Sequence, residues 1–411
     1  MSADGARAGV ARAARIAGVT GAGIGLASAA GSLGAGTYLA RLLLTPERER
    51  PEIEEILGID GDTITLRATE ETVVPGRYGL WFDRGAGHLR LGEILAMSAD
   101  GAGGEGGVGD PAGWVTRRID AVDAGIPRPG AARWDGYYYS QSPQLSLGLT
   151  TYDVTVASDI GDLPAWLVPG DTQSPGEPWG GRWAILVHGR GATRHECLRA
   201  VPVLYRIGIT SLIPTYRNDA DGAPSPDGLY NLGLSEWRDL EAAIAYALAH
   251  GAQDIVLMGW SMGGAIVLQT LDRSPLGRHV SCAVLDSPVI DWADVIAHQA
   301  RLRRVPRALA QLAKGLLGAR WSRRLVGVHE PLDVARTDWQ NRAAELRHPV
   351  LLIHSADDEF VPVGPSRELA ARRRDLVTYV EWRGARHVKE WNLDAPAWER
   401  VVADYLCSCH A

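Results

Sequence analysis

The stretch Asp254-Ile-Val-Leu-Met-Gly-Trp-Ser-Met-Gly-Gly-Ala-Ile-Val-Leu268 decides how the rest of the chain is read. Ile255 to Met258 are an unbroken apolar run with β-branched members, the pattern of a strand buried on both faces, and Ala265 to Leu268 begin an apolar helix. Ser261 falls on the turn between them. In this Gly-x-Ser-x-Gly frame, Gly259 and Gly263 stand where a Cβ would collide with the backbone of a tight elbow. Such an elbow lifts the serine Oγ above the sheet edge, at the N-terminus of a helix whose dipole favours developing negative charge.

A chain with 48 glycines meets the bare frame too easily for it to stand alone, so the flanking segments must supply a base, an acid and an oxyanion hole. Working outward, strands alternate with helices. Tyr152 to Val156, Ala165 to Val168, Trp183 to Val187, Ser211 to Pro214, Ser281 to Leu285, Val350 to His354 and Leu376 to Glu381 read as strands. Glu196 to Ile207, Glu236 to His250 and Ala397 to Leu406 read as helices, and Trp292 to Leu346 as a helical insertion. Repeated strand–helix units imply a mainly parallel, doubly wound sheet, with ligands bound at the carboxyl ends of its strands.

Three groups fall at those ends: Ser261, the acidic run Asp357-Asp358-Glu359, and His387 in Gly384-Ala-Arg-His387. The order serine, acid, histidine, together with the elbow and the sheet, resembles the α/β-hydrolase family over roughly Tyr152 to Leu406. The resemblance implies that fold, with a helical cap insertion at about 292–346. Many members carry His-x-x-x-Asp-x-x-Val-Pro before the last strand, and this chain has His354-Ser-Ala-Asp-Asp358-Glu-Phe-Val361-Pro362. Aligned so, Asp358 is the expected acid, with Asp357 and Asp286 as alternatives. Ser261 is then the nucleophile, His387 the base that takes its proton, and Asp358 the group that orients the imidazole. The expected oxyanion donors are the backbone N–H groups of Met262 and, in the loop His188-Gly-Arg-Gly191, of Arg190, with Gly191 as the fallback.

Within the family, His188-Gly189, Gly259-Trp-Ser-Met-Gly-Gly264 and Asp358-x-x-Val361-Pro362 are most similar to catalytic domains related to prolyl oligopeptidase and the serine aminopeptidases. The oligopeptidases carry a propeller, whereas the β-like stretch before this sheet runs to about 100 residues, too few for several four-stranded blades. The reading is therefore a cofactor-independent, metal-free serine hydrolase of carboxylic esters, acting on a small acyl ester or a short peptide. A peptidase and a catalytically silent binding protein are the alternatives.

Three regions follow: an N-terminal tail (1–50), a small β-rich module (51–150) and the catalytic domain (151–411). In the module, Thr63 to Leu66, Tyr78 to Phe82, His88 to Leu91 and Trp114 to Ile119 read as antiparallel strands around a Gly-rich loop from Ala99 to Gly113. Tyr137-Tyr-Tyr139 reads as packing between domains, with a substrate-facing cluster as the alternative. In the tail, Ile16 to Ala40 carry no charge and follow Arg7, Arg12 and Arg15, a layout that suits a membrane anchor ahead of a soluble tail or a signal peptide. Every expected sheet strand follows Tyr152, so the hydrolase is expected to fold without that segment.

A net charge of -7 and a pI near 5.9 argue against nucleic-acid binding, which needs a basic face. The cysteines, Cys197, Cys282, Cys407 and Cys409, match no zinc-site spacing. The cap arginines, Arg301, Arg303, Arg304, Arg307, Arg320, Arg323 and Arg324, read as a solvated face.

Overall fold

The computed structural model describes residues 31–46, 51–98, 113–171 and 181–409. Residues 31–44 are helical (α1). Six antiparallel strands then close into a barrel: β1 (Glu54–Asp60), β2 (Thr63–Arg67), β3 (Tyr78–Phe82), β4 (Gly87–Met97), β5 (Trp114–Ala124) and β6 (Gly130–Asp135), in the order β1-β2-β5-β4-β3-β6. Period-2 alternation is the cause. Along β2, Ile64 and Leu66 point inward while Thr63, Thr65 and Arg67 do not, and Leu80, Phe82, Leu89, Leu91 and Val115 complete the interior. The β-rich module expected from the sequence is thus a closed barrel, which leaves no unpaired edge. The Gly-rich loop falls on residues 99–112, outside the described residues.

Asp123 on β5 joins the barrel to the segment after it. Its carboxylate accepts bonds from Arg90 Nη2 at 2.6 Å, His88 Nδ1 at 2.8 Å and Ser140 Oγ at 3.1 Å. Burial alone would raise its pKa, but His88 and Arg90 outweigh burial and hold it at about 2. A carboxylate depressed in the folded state stabilises it above the unfolded pKa of about 3.9, and that contribution fades as the pH falls toward the folded value. Asp123→Asn is therefore expected to lower the melting temperature at neutral pH, the gap to the unsubstituted protein narrowing from about pH 5 to about pH 3. A gap that stays constant in melts across that range would count against this account.

After a short helix, α2 (Pro143–Leu147), come the sheet strands β7 (Tyr152–Ser158), β8 (Gly161–Val168), β9 (Arg182–Val187), β10 (Thr210–Pro214), β11 (Asp254–Trp260), β12 (Val280–Asp286), β13 (Val350–Ser355) and β14 (Val377–Trp382). Their order is β14-β13-β12-β11-β9-β10-β8-β7, parallel from β14 to β10, with β8 and β7 antiparallel at the far edge. The connecting helices are α3 (Val201–Arg206), α4 (Trp237–Ala249), α5 (Met262–Arg273), α9 (Gly364–Arg372), α10 (Glu390–Leu393) and α11 (Ala395–Ser408). Between β12 and β13 lie α6 (Trp292–Leu302), α7 (Arg307–Gly318) and α8 (Arg323–Val326). All seven arginines named above are exposed on this insertion.

The central strands are buried on both faces because their side chains feed two different cores. Ile185, Leu257, Leu285 and Leu352 enter one; Leu186, Met258, Val284 and Ile353 enter the other. Tyr138 and Tyr139 join the second core, with ring centroids 5.7 and 5.9 Å from that of Trp391, so two of the three tyrosines pack the barrel's exit segment onto the hydrolase.

The N-terminal segment is described only in part. Residues 16–30 of the uncharged run lie outside the described residues, and among the described residues no helix is long and apolar enough to cross a membrane. Residues 31–40 belong to α1, which buries Ala40 and Leu44 in the first core. Small residues serve that contact: a Cβ on Gly36 would meet Leu312 at 3.1 Å and Leu316 at 3.2 Å on α7. Removing α1 would uncover apolar surface on α7, so the described part of this segment packs on the hydrolase.

Candidate active site

Ser261 lies between β11 and α5 with φ 52° and ψ -116°, a conformation that costs an L-residue on the order of 1–3 kcal/mol and that the surrounding bonds hold. Its N–H donates to Asp286 O at 3.1 Å, and its own carbonyl accepts from Gly264 N at 3.0 Å and Val289 N at 3.1 Å. The two elbow glycines meet the expected collisions. A Cβ on Gly259 would stand 2.5 Å from Gly263 O, and one on Gly263 would stand 2.1 Å from Val187 O. The elbow thus presses directly on the end of β9, which carries the next loop.

The Ser261 Oγ is 2.9 Å from His387 Nε2, and His387 Nδ1 is 2.7 Å from Asp358 Oδ2. Asp358 follows β13, and His387 follows β14. Asp358 is buried, which would raise its pKa, yet the neighbouring His387 and His354 outweigh burial and hold it well below the usual carboxylate range. Its Oδ1 also accepts from the Phe360 and Val361 N–H groups, each at 2.8 Å. The carboxylate is charged and fixed in place.

The two alternative acids lie elsewhere. Asp357 accepts from Gly384 N at 2.7 Å. Asp286 accepts from Trp398 Nε1 at 2.9 Å, and burial beside Glu390 pushes its pKa well up, which favours a neutral acid. Met262 opens α5, where the first N–H groups of a helix have no carbonyl partner within it. Arg190 sits in the loop after β9. In that loop Gly189 N donates to Glu196 Oε2 at 2.6 Å, and the Gly191 amide faces the Tyr230 hydroxyl.

Several residues that shape this geometry went unassigned in the sequence. His354 bridges Asp358 Oδ2 at 3.1 Å and Ser366 Oγ at 2.7 Å; its place at the head of the His-x-x-x-Asp spacing was the available signal. His188 is fully buried and pairs with Asp219 Oδ2 at 2.9 Å, and Asp219 raises its pKa despite burial. Tyr216, stacked on His188, donates to Gly189 O at 3.0 Å. The buried pair Glu196–Arg199 spans both catalytic loops: Glu196 holds Gly189, while Arg199 Nη1 donates to Val388 O at 2.8 Å, beside His387. No local pattern marks Asp219 or Arg199, because their partners are brought near only by the fold. Among the described residues, no group of His, Cys, Asp or Glu is placed to hold a metal ion.

The family described as the alpha/beta hydrolase family matches residues 184–403, more than half of the chain. The chain belongs to the alpha/beta hydrolase family. As such it is a hydrolase, with an α/β-hydrolase sheet behind a β-rich N-terminal module. Residues 55–135, the barrel of this hydrolase, match a domain of unknown function. Among solved structures, an esterase from Pyrococcus furiosus is similar at 20% identity, covering 66% of this hydrolase and 95% of that chain with a TM-score of 0.50. A puromycin-hydrolyzing peptidase from Mycobacterium tuberculosis is similar at 16% identity, covering 85% of this hydrolase and 45% of that chain with a TM-score of 0.48. At such identities the likeness is one of fold. No curated protein matches this hydrolase.

Proposed function

We propose that this hydrolase cleaves carboxylic esters of small acyl groups through an acyl-enzyme on Ser261. The observation that carries the reading is the unbroken chain Ser261 Oγ, His387 Nε2, His387 Nδ1, Asp358 Oδ2, with links of 2.9 and 2.7 Å. Ser261 Oγ attacks the ester carbonyl as His387 Nε2 takes its proton, and Asp358 stabilises the imidazolium so formed. The oxyanion is met by the backbone N–H groups of Met262 and Arg190, each such donor typically worth about 3 kcal/mol in the barrier. His387 then gives its proton to the leaving alkoxide, and a water attacks the acyl-enzyme by the same steps.

Esters are favoured over peptides because an alkoxide leaves with less help than an amine, whose departure demands an accurately placed proton. A screen of acyl esters, thioesters and aminoacyl amides, with Ser261→Ala as blank, is expected to give the highest kcat/KM for short to medium acyl esters. Amide turnover equal to or above that of esters would instead favour a peptidase.

A further inference from the structure

Two depressions flank the loop that carries Arg190. On one side Gly191, Ala192 and His195 face Trp81 and Tyr137 across a broad cleft of about 720 Å³ between hydrolase and barrel. On the other, Arg190 and Phe360 border a smaller cavity of about 160 Å³. Its walls are mainly apolar, with Leu39 and Leu43 from α1, Ile296 and Ala300 from α6, and Ala310 and Leu317 from α7, while Gln299, Arg303 and Lys314 add polar groups to the lining. The smaller cavity adjoins the chemistry at two points. The Phe360 ring lies 5.2 Å from the His387 ring, and Arg190 directly follows Gly189, where a Cβ would be 3.1 Å from Ser261 Cβ.

The helix that closes this cavity is clamped. Arg190 Nε donates to Leu43 O at 2.8 Å, and its Nη2 donates to Leu42 O at 3.1 Å and Thr45 O at 2.9 Å, so its guanidinium occupies the carbonyls that end α1. Tyr230 N adds a bond to Leu44 O at 2.9 Å. Opposite, Gln299 Nε2 on α6 donates to Phe360 O at 3.0 Å, which ties the cap to the loop that carries Asp358.

We propose that this cavity is the acyl-binding site, and that α1, a helix preceding the barrel, sets the acyl-chain length the enzyme accepts. The inference rests on the ester-hydrolase reading and assigns the two halves of the ester. The acyl group occupies the site in both half-reactions, joined to Ser261 in the first and released by water in the second, so a small, mainly apolar recess suits it. The alcohol must depart, and the broad cleft on the other side of the loop provides an exit. A cavity of about 150 Å³ holds a six-carbon ring, so an acyl chain of about four to six carbons matches this one in size.

The test uses the full chain with two substitutions on the walls. Ala310→Leu fills the cavity, and Leu43→Ala deepens it from the α1 side. One substrate series varies the acyl chain of 4-nitrophenyl esters from acetyl to decanoyl; a second holds the acyl group at acetyl and lengthens the alcohol. A methylene in an apolar pocket is worth about tenfold or more in kcat/KM. Ala310→Leu is therefore expected to depress hexanoyl relative to acetyl turnover by at least about tenfold, and Leu43→Ala to move the optimum to longer acyl chains by about one or two carbons. The alcohol series should be unmoved. Acyl profiles unchanged in both variants, or shifts that follow the alcohol, overturn the proposal. Should Ala310→Leu fail to fold, Leu43→Ala, which only removes atoms, decides alone. Should no ester be turned over, the ester reading fails by itself, and binding of hexanamide to the Ser261→Ala protein, weakened or not by adding Ala310→Leu, still tests the cavity.

Discussion

Replacing Ser261 by alanine is expected to cut kcat for an activated ester by about a million-fold and to abolish covalent labelling by a fluorophosphonate probe, while the protein remains folded. The size follows from the chemistry. Without the Oγ no acyl-enzyme can form, and only the oxyanion donors and substrate positioning are left to act on water. The fold should survive because the elbow is held by backbone bonds, from Ser261 N to Asp286 O and from Gly264 N and Val289 N to Ser261 O, none of which involves the hydroxyl. Failure of the folded, unsubstituted enzyme to label above the Ser261→Ala protein would refute Ser261 as the nucleophile. It would also bring forward the alternative of a silent hydrolase-fold protein.

The second large effect separates three carboxylates. Asp358→Asn should lower kcat by about ten-thousand-fold, because an amide in place of Oδ2 disturbs the imidazole tautomer and removes the charge that stabilises the imidazolium. Asp286→Asn should leave turnover close to that of the unsubstituted enzyme. Burial favours the neutral form of Asp286, which an amide resembles, and its Oδ2 serves Trp398 rather than His387. Asp357→Asn keeps an oxygen for Gly384 N and should likewise be mild. Steady-state kinetics on the three variants decides. Near-normal turnover of Asp358→Asn combined with loss in Asp286→Asn would move the acid to the end of β12.

The elbow and the central strands were legible because their signals are local. An apolar run, a glycine two residues either side of a serine and an apolar helix start occupy the consecutive residues Ile255 to Leu268, and the close approach of Gly259 to Gly263 lies within them. The barrel was half legible. Thr63 to Leu66 alternates visibly, but β1 begins inside a charged run, at Glu54 and Glu55, and its pairing with β6 joins segments more than seventy residues apart. The tail was read by composition, and alanine with glycine suits close helix packing as well as a membrane; the contact of Gly36 with α7 resolves residues 31–40 toward packing.

By itself the sequence determined the order of the sheet strands along the chain, the strained serine turn and the set of residues with the right chemistry near strand ends, since each depends on neighbours along the chain. Only the tertiary structure decided which carboxylate lies 2.7 Å from His387, which buried pair holds Gly189 and Val388, and which helix closes the cavity beside Arg190. Those outcomes turn on a few ångströms between segments far apart in sequence, set by the parallel register of β11, β12, β13 and β14 and by how α1 and the cap pack over them. Local propensity and spacing carry no information about such distances, because they arise from the joint packing of the whole sheet.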